Sequence, residues 1–180
     1  VANQLEVARE ALAQIGTRSK IASLDDGSAE ATYINLLYGP IRDFLLTDGD
    51  YDFSLVAGIL VPVPPPPPAP PWVYGYVYPT DALRIRQLFP KDYEPLDPHP
   101  IEWTISSTLG VRQISTRAEA VQIHYTRAVA EDLWDAMFRQ SFVRMLASAL
   151  AFALENRIEA SKVKLDEALG FAGIAKLRDM

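Results

Sequence analysis

The stretch from Val121 to Leu154 reads VQIHYTRAVAEDLWDAMFRQSFVRMLASALAFAL and changes its hydrophobic period partway along. First, Val121, Ile123 and Tyr125 alternate with Gln122, His124 and Thr126, the two-residue repeat of a half-buried strand. Beyond Ala130, Trp134, Phe138, Met145, Leu146, Ala149, Leu150, Ala153 and Leu154 recur at three- and four-residue steps, which predicts a long helix with a wide apolar stripe. The chain therefore turns from sheet to helix near Ala130.

Upstream of Val121 the alternation continues. Leu83, Ile85, Ile101, Trp103 and Ile105 interleave with Arg84, Arg86, Glu102 and Thr104, and Pro90, Pro95, Pro98, Pro100 and Gly110 punctuate them, so a small antiparallel sheet built from hairpins is expected. Before it lies the apolar run Leu55 to Val63, then Pro62, Pro64 to Pro68, Pro70 and Pro71, whose polyproline II geometry without internal hydrogen bonds predicts an exposed spacer. The N-terminal part reads as helical. Leu5, Ala8, Leu12 and Ile15 form one stripe, ended by Gly16 at a left-handed cap position. Ser28 is placed to cap a second helix whose buried side is expected at Tyr33, Leu36, Leu37, Phe44 and Leu45, with a kink or a break at Pro40. Downstream, Asn156 is a candidate cap before a last helix carrying Val163, Leu165, Ala168, Leu169 and Ile174, the alternative being one bent continuous helix. These readings assemble as α+β: a discontinuous antiparallel four-helix bundle, residues 1–60 plus 130–180, interrupted by a small antiparallel β insertion with a proline-rich loop, residues 61–129.

With 180 residues, 49% of them hydrophobic and 22% charged, the chain is long enough to bury a core. No apolar run reaches the roughly 18 residues of a membrane-spanning helix, and the first residues show no secretory pattern, so synthesis in the cytoplasm without a membrane partner is expected. The chain holds no cysteine and 2 histidines, which removes thiolate metal sites and cysteine nucleophiles. A net charge of −6 opposes electrostatic capture of nucleic acid.

The search for chemistry is mostly negative. Asp48-Gly49-Asp50-Tyr51-Asp52 suggests calcium, but an EF-hand counted from Asp48 would need Gly and Glu where Phe53 and Ile59 stand. His124 has no Gly-x-Ser-x-Gly elbow to serve, and His99 lies between two prolines. Glu10, Glu30, Glu131 and Asp135 are nominal carboxylates for a glycosidase, yet a solvated helix face explains each more simply. No phosphate-binding glycine loop is present, so no cofactor is expected. Arg84, Arg86, Arg112, Arg117 and Arg127, with Trp103 and Tyr125, could make a face for single-stranded nucleic acid, but their alternation places them on the wet side of a sheet. The proline run, followed by Tyr74, Tyr76 and Tyr78, is expected to pack on its own tyrosines or on a neighbouring subunit.

Four stretches together resemble a known family. They are Ala11 to Ile15 with Ile21 to Ala31; Tyr38-Gly39-Pro40-Ile41-Arg42-Asp43-Phe44-Leu45-Leu46 followed by Tyr51-Asp52-Phe53-Ser54; Tyr76-Val77-Tyr78-Pro79-Thr80-Asp81-Ala82-Leu83-Arg84-Ile85; and Tyr125 through Asp132, Asp135 and Phe138 to Ala151. In this order they are similar to the head-to-tail adaptors of short-tailed bacteriophages, of the tail tubular protein A type. Tyr51 stands where that family usually has Trp, the proline run is longer than the family's, and the last helix is only loosely similar.

The resemblance implies a non-enzymatic virion protein: a subunit of a ring of about twelve copies that joins the portal to the tail nozzle and lets duplex DNA pass. Expected partners are further copies of itself, the portal, the next tail protein and DNA held without sequence specificity. Expected partner contacts are Phe171, Ile174 and Leu177 toward the portal, and the loop with Pro66, Pro67, Tyr74 and Tyr76 toward the next tail component. The resemblance also leaves room for a neck connector of a long-tailed phage and for an adaptor with added peptidoglycan hydrolase activity.

Overall fold

The computed structural model describes residues 3–16, 21–64, 68–92, 99–155 and 163–171. The chain divides into two compact units, Val1–Ser54 with Ala128–Met180, and Leu55–Arg127, against expected boundaries of 1–60 with 130–180 and 61–129.

The helical unit holds α1 (Gln4–Gln14), α2 (Ala29–Asp48) and α3 (Ala136–Glu155), with a further helical stretch at 163–171. Local chemistry sets the helix ends. The side chain of Asn3 accepts from the Glu6 backbone N–H at 3.0 Å and the Glu6 carboxylate accepts from the Asn3 N–H at 3.3 Å, a reciprocal capping box. Gly16 follows α1 with φ +72, the left-handed geometry anticipated from its position. Ser28 caps α2 by accepting from the Ala31 N–H at 3.1 Å. The loop before it is pinned by Asp26, whose carboxylate accepts from the N–H groups of Ala22 and Ser28 and from the Ser28 hydroxyl. Those bonds, the Ser28 hydroxyl's first, hold the Asp26 carboxyl below its ordinary range.

For α2 the break at Pro40, one of the two alternatives expected there, and the expected buried side are corrected. Pro40 neither splits nor ends it, because the helix runs on to Asp48. The carbonyl of Leu36, which Pro40 cannot serve, lies on an exposed part of the helix where water can satisfy it. The buried side is also rotated: Ala31, Ile34, Tyr38, Leu45 and Leu46 are buried, while Leu36 and Phe44 are 65% and 54% exposed.

The core of this unit is aromatic. Tyr38 meets Phe142 edge-on at 4.7 Å between ring centres, Phe138 meets Tyr51 at 5.0 Å, Phe53 at 5.2 Å and Trp134 at 5.0 Å, and Trp134 reaches Phe142 at 4.9 Å. Edge-to-face pairs of this kind add roughly 0.5–1.5 kcal/mol each beyond the area they bury. Both α1 and α2 pack on α3, whose Phe138, Phe142, Leu146, Ala147, Leu150 and Ala151 are buried.

The β unit carries β1 (Leu55–Ile59), β2 (Tyr74–Val77), β3 (Ala82–Pro90), β4 (Trp103–Thr108), β5 (Val111–Thr116) and β6 (Val121–Arg127). They form two antiparallel three-stranded sheets, ordered β1-β6-β3 and β2-β5-β4. The sheets share one core of Leu60, Tyr76, Ile85, Leu88, Ile114, Val121, Ile123 and Tyr125. Their margins are tied as well: Val63 donates to Gly75 and Val77 to Val61 on one side, and Ile101 donates to Leu88 on the other. Such ties blunt edges that would otherwise invite pairing with other chains. Because Leu55 pairs with Thr126, the chain enters and leaves this unit on neighbouring strands.

The expected four-helix bundle with a small β insertion is therefore not what is seen; the fold is α+β with six strands in two sheets. The single sheet was expected because only three segments alternate openly. β1 is apolar on both faces, β2 is four residues long, and β5 buries Gln113, Ser115 and Thr116, so its polar residues do not mark a wet face. Of the fourth helical stretch, the described residues 163–171 fully bury only Ala168. Nor is the proline run a spacer from its start, since Val61 to Val63 run beside β2.

Candidate functional site

A groove of about 560 Å³ opens in the β unit, lined by Ile59, Leu60, Pro62, Val73, Tyr74 and Tyr76 among others, and also by Lys91, Glu119 and Ala120. A second recess of about 250 Å³ adjoins it, sharing Ile59 and Leu60 and continuing to Val61, Val77 and Pro79. The walls follow from local structure. β1 places Leu60 into the core, and period-two alternation then turns its neighbours outward, leaving Ile59 and Val61 at 62% and 64% exposure. Apolar residues on both faces of such a strand are the sequence signal for this groove, which periodicity alone passes over.

Tyr76 forms its floor. Its hydroxyl donates to the Ala118 carbonyl at 3.2 Å and accepts from the Ala120 N–H at 3.1 Å, so the ring clamps the turn between β5 and β6. Burial raises the phenol above its ordinary value, keeping it a donor. Of the residues expected at a partner surface, Tyr76 is thus a core residue at 2% exposure, whereas Tyr74 lines the groove and remains half-buried. Pro66, Pro67, Ile174 and Leu177 lie outside the described residues, as does Asn156. Phe171, in the helical unit, lies under the guanidinium of Arg144 at 4.2 Å from its ring centre.

Three of the carboxylates considered for chemistry have structural partners. Glu10 pairs with Arg139 at 2.6 Å, Glu131 accepts from Tyr38, and Asp135 accepts from the Met137 N–H at 2.7 Å at the start of α3. In the Asp48 to Asp52 segment, Tyr51 belongs to the aromatic core. Among the described residues no group of three or more His, Cys, Asp or Glu side chains is placed to hold a metal ion. The arginines do not make one basic face: Arg112 lies 3.8 Å over Tyr78, Arg86 donates to Thr126, and Arg127 pairs with Asp81 at 3.8 Å. Tyr125 is in the core with Trp103 packed against it. His124 meets Phe89 edge-on at 4.8 Å, and burial, then the nearby Arg86, hold its imidazole below the ordinary value.

No helix among the described residues is long and apolar enough to cross a membrane. Compared with protein-family models and with curated proteins, the chain matches none.

Proposed function

We propose that this chain is a structural subunit of a ring-shaped head-to-tail adaptor of a tailed bacteriophage, joining portal to tail and forming part of the DNA passage. One observation carries the reading: both units keep large apolar side chains in contact with water. The helical unit does so at Leu36, Phe44, Phe152, Val163, Leu165 and Leu169, and the β unit at Ile59, Val61, Val73, Val77, Leu109 and Val111. In the β unit Ile59, Val61, Val73 and Val77 line the adjoining groove and recess, and grouped apolar surface of this kind is stabilised when a partner covers it, which suits a subunit built for assembly. The resemblance of the four sequence stretches supports the choice of assembly, and the carboxylates engaged in structural contacts favour a role without bond-breaking.

Charge fits the same role. About −6 per copy over about twelve copies sums to roughly −72, a field that gives sliding duplex phosphates few places to adhere. A passage lined by Lys and Arg in the assembled ring overturns this part.

The test is light scattering and electron microscopy of the chain alone and mixed with the portal protein encoded with it. Rings on the portal are the expected result. A chain that stays monomeric with the portal present overturns the reading.

A further inference from the structure

We infer that the outer edge of β4 pairs antiparallel with the same edge of a second copy, with Ile105 on the two-fold axis. β4 ends the sheet ordered β2-β5-β4, and among the described residues no strand pairs with its other side. The bond from Ile101 to Leu88 ties the chain ahead of β4, not β4 itself. The other margins are closed or broken: β1 runs on into Val61 and Val63, which bond to β2, while β3 shifts register twice and ends in Pro90. Nothing of that kind guards β4. Its residues, Trp103-Thr104-Ile105-Ser106-Ser107-Thr108, include no charge and no proline, and they pair with β5 in one unbroken register, which leaves a flat edge open to pairing.

The backbone pattern fixes the register. Leu109 and Gly110, with φ 52° and 80°, make a two-residue turn of the kind closed by a hydrogen-bonded pair, here Thr108 with Val111. Alternation then turns the N–H and C=O groups of Thr104, Ser106 and Thr108 toward β5, and those of Trp103, Ile105 and Ser107 toward the open edge. When two such edges lie antiparallel, the register that engages all of Trp103, Ile105 and Ser107 sets Ile105 opposite its own counterpart and Trp103 opposite Ser107 of the other copy. The edge is thus its own complement. Ile105 lies on the core face, directly opposite buried Ile114, yet it is 43% exposed where the sheet stops. In the pair the two Ile105 residues meet across the axis with Cα atoms about 5.5 Å apart, and each covers the other. On the opposite face Thr104 meets Ser106, so no like charges stand against each other within the strand. That self-match selects a second copy over an unrelated strand. The pairing buries little surface, so it is weak and concentration-dependent. An isologous contact closes after two copies and cannot by itself build a ring, so the inference goes beyond the adaptor reading and describes the free chain.

Sedimentation of the parent chain at rising concentration should show a monomer–dimer equilibrium. Ser107→Pro removes an outward N–H and leaves the bonds to β5 in place, and Ile105→Lys sets two like charges on the axis. Each should weaken the dimer at least about tenfold, with circular dichroism confirming that the variant is folded. Because the chain has no cysteine, Ile105→Cys introduces its only thiol. A short bismaleimide should join Ile105→Cys to itself, whereas Leu109→Cys, whose two copies stand at opposite ends of the paired strands, should stay unjoined. A parent chain that is monomeric throughout, a dimer that neither variant weakens, or Leu109→Cys cross-linking as readily as Ile105→Cys overturns the contact. So does protection of the Ile105 and Ser107 amides from hydrogen exchange that appears only with the portal, which gives the edge to the portal instead. Rings of Ser107→Pro on the portal leave the adaptor reading standing whatever the dimer does, and a dimer that meets these tests stands even if the portal is never bound.

Discussion

The hydroxyl of Tyr38, in the middle of α2, donates a 3.0 Å hydrogen bond to Oε1 of Glu131, which lies 93 positions further along the chain. The whole β unit intervenes in sequence, so this bond joins the two segments that make up the helical unit. Burial, and then the Glu131 carboxylate, push the Tyr38 phenol far above its ordinary value, so it stays protonated and a donor at neutral pH. Removing only the oxygen, in Tyr38→Phe, should cost about 1 kcal/mol, while Tyr38→Ala also empties a place among Phe142 and Trp134 and should cost roughly 3–5 kcal/mol. Urea unfolding measures both, and equal midpoints for Tyr38→Phe and the parent chain would show that the bond contributes nothing.

Gly49 is required by its neighbour. A Cβ at this position would lie 2.5 Å from the ring of Tyr51, which is buried among Phe53 and Phe138 and cannot swing away. The backbone φ of −118 is ordinary, so the penalty of Gly49→Ala is steric and should be about 1–3 kcal/mol. The expected signature is a lower denaturant midpoint at unchanged slope. A stabilised variant would mean that the ring can yield.

His124 makes the fold sensitive to mild acid. Its imidazole is held below the ordinary 6.5 by burial and by Arg86, so on acidification the unfolded chain takes up a proton before the folded one does. Stability is therefore complete above about pH 6.5 and falls as the pH drops below it. Thermal midpoints at pH 7.5 and 5.5 should differ more for the parent chain than for His124→Gln. An equal difference in the two would remove this histidine as the cause.

Glu10 should matter little to stability and not at all to chemistry. Its pair with Arg139 is partly exposed, so Glu10→Gln should cost only about 0.2–1 kcal/mol. On a peptidoglycan zymogram the parent chain should leave no clearing. Clearing that Glu10→Gln or Glu30→Gln abolishes would make those carboxylates catalytic and the chain a hydrolase.

Much of the helical unit was legible because its signals act over three or four residues. Gly16, Ser28 and, in α3, Phe138, Met145, Leu146 and Leu150 stand where spacing put them, whereas Trp134 is buried just before that helix and Ala149, Ala153 and Leu154 are only half-buried. The β unit was harder, and β3 shows why. Its register shifts between Ala82 and Arg84 and again between Ile85 and Gln87, so Ala82, Ile85 and Leu88 face the core at every third residue rather than every second. A reading by twos puts Leu83 with Ile85 and leaves Leu88 aside. The groove escaped for a related reason: Ile59 and Val61 are as apolar as Leu60, and only pairing with β6 and β2 decides which faces inward.

Local chemistry decided where α1 begins and ends and where α2 and α3 begin, since caps, a left-handed glycine and apolar stripes exert their effect within a turn or two of backbone. Which stripe of α2 meets α3, how six strands divide into two sheets, and which apolar residues stay wet came from packing between distant segments. Leu36 and Phe44 are as hydrophobic as Leu45 and Leu46, and hydrophobicity carries no direction. Burial goes to the side chains that complementary shapes enclose, here the ring of Tyr38 against Phe142 and Trp134, and that outcome exists only once both halves of the helical unit are in place.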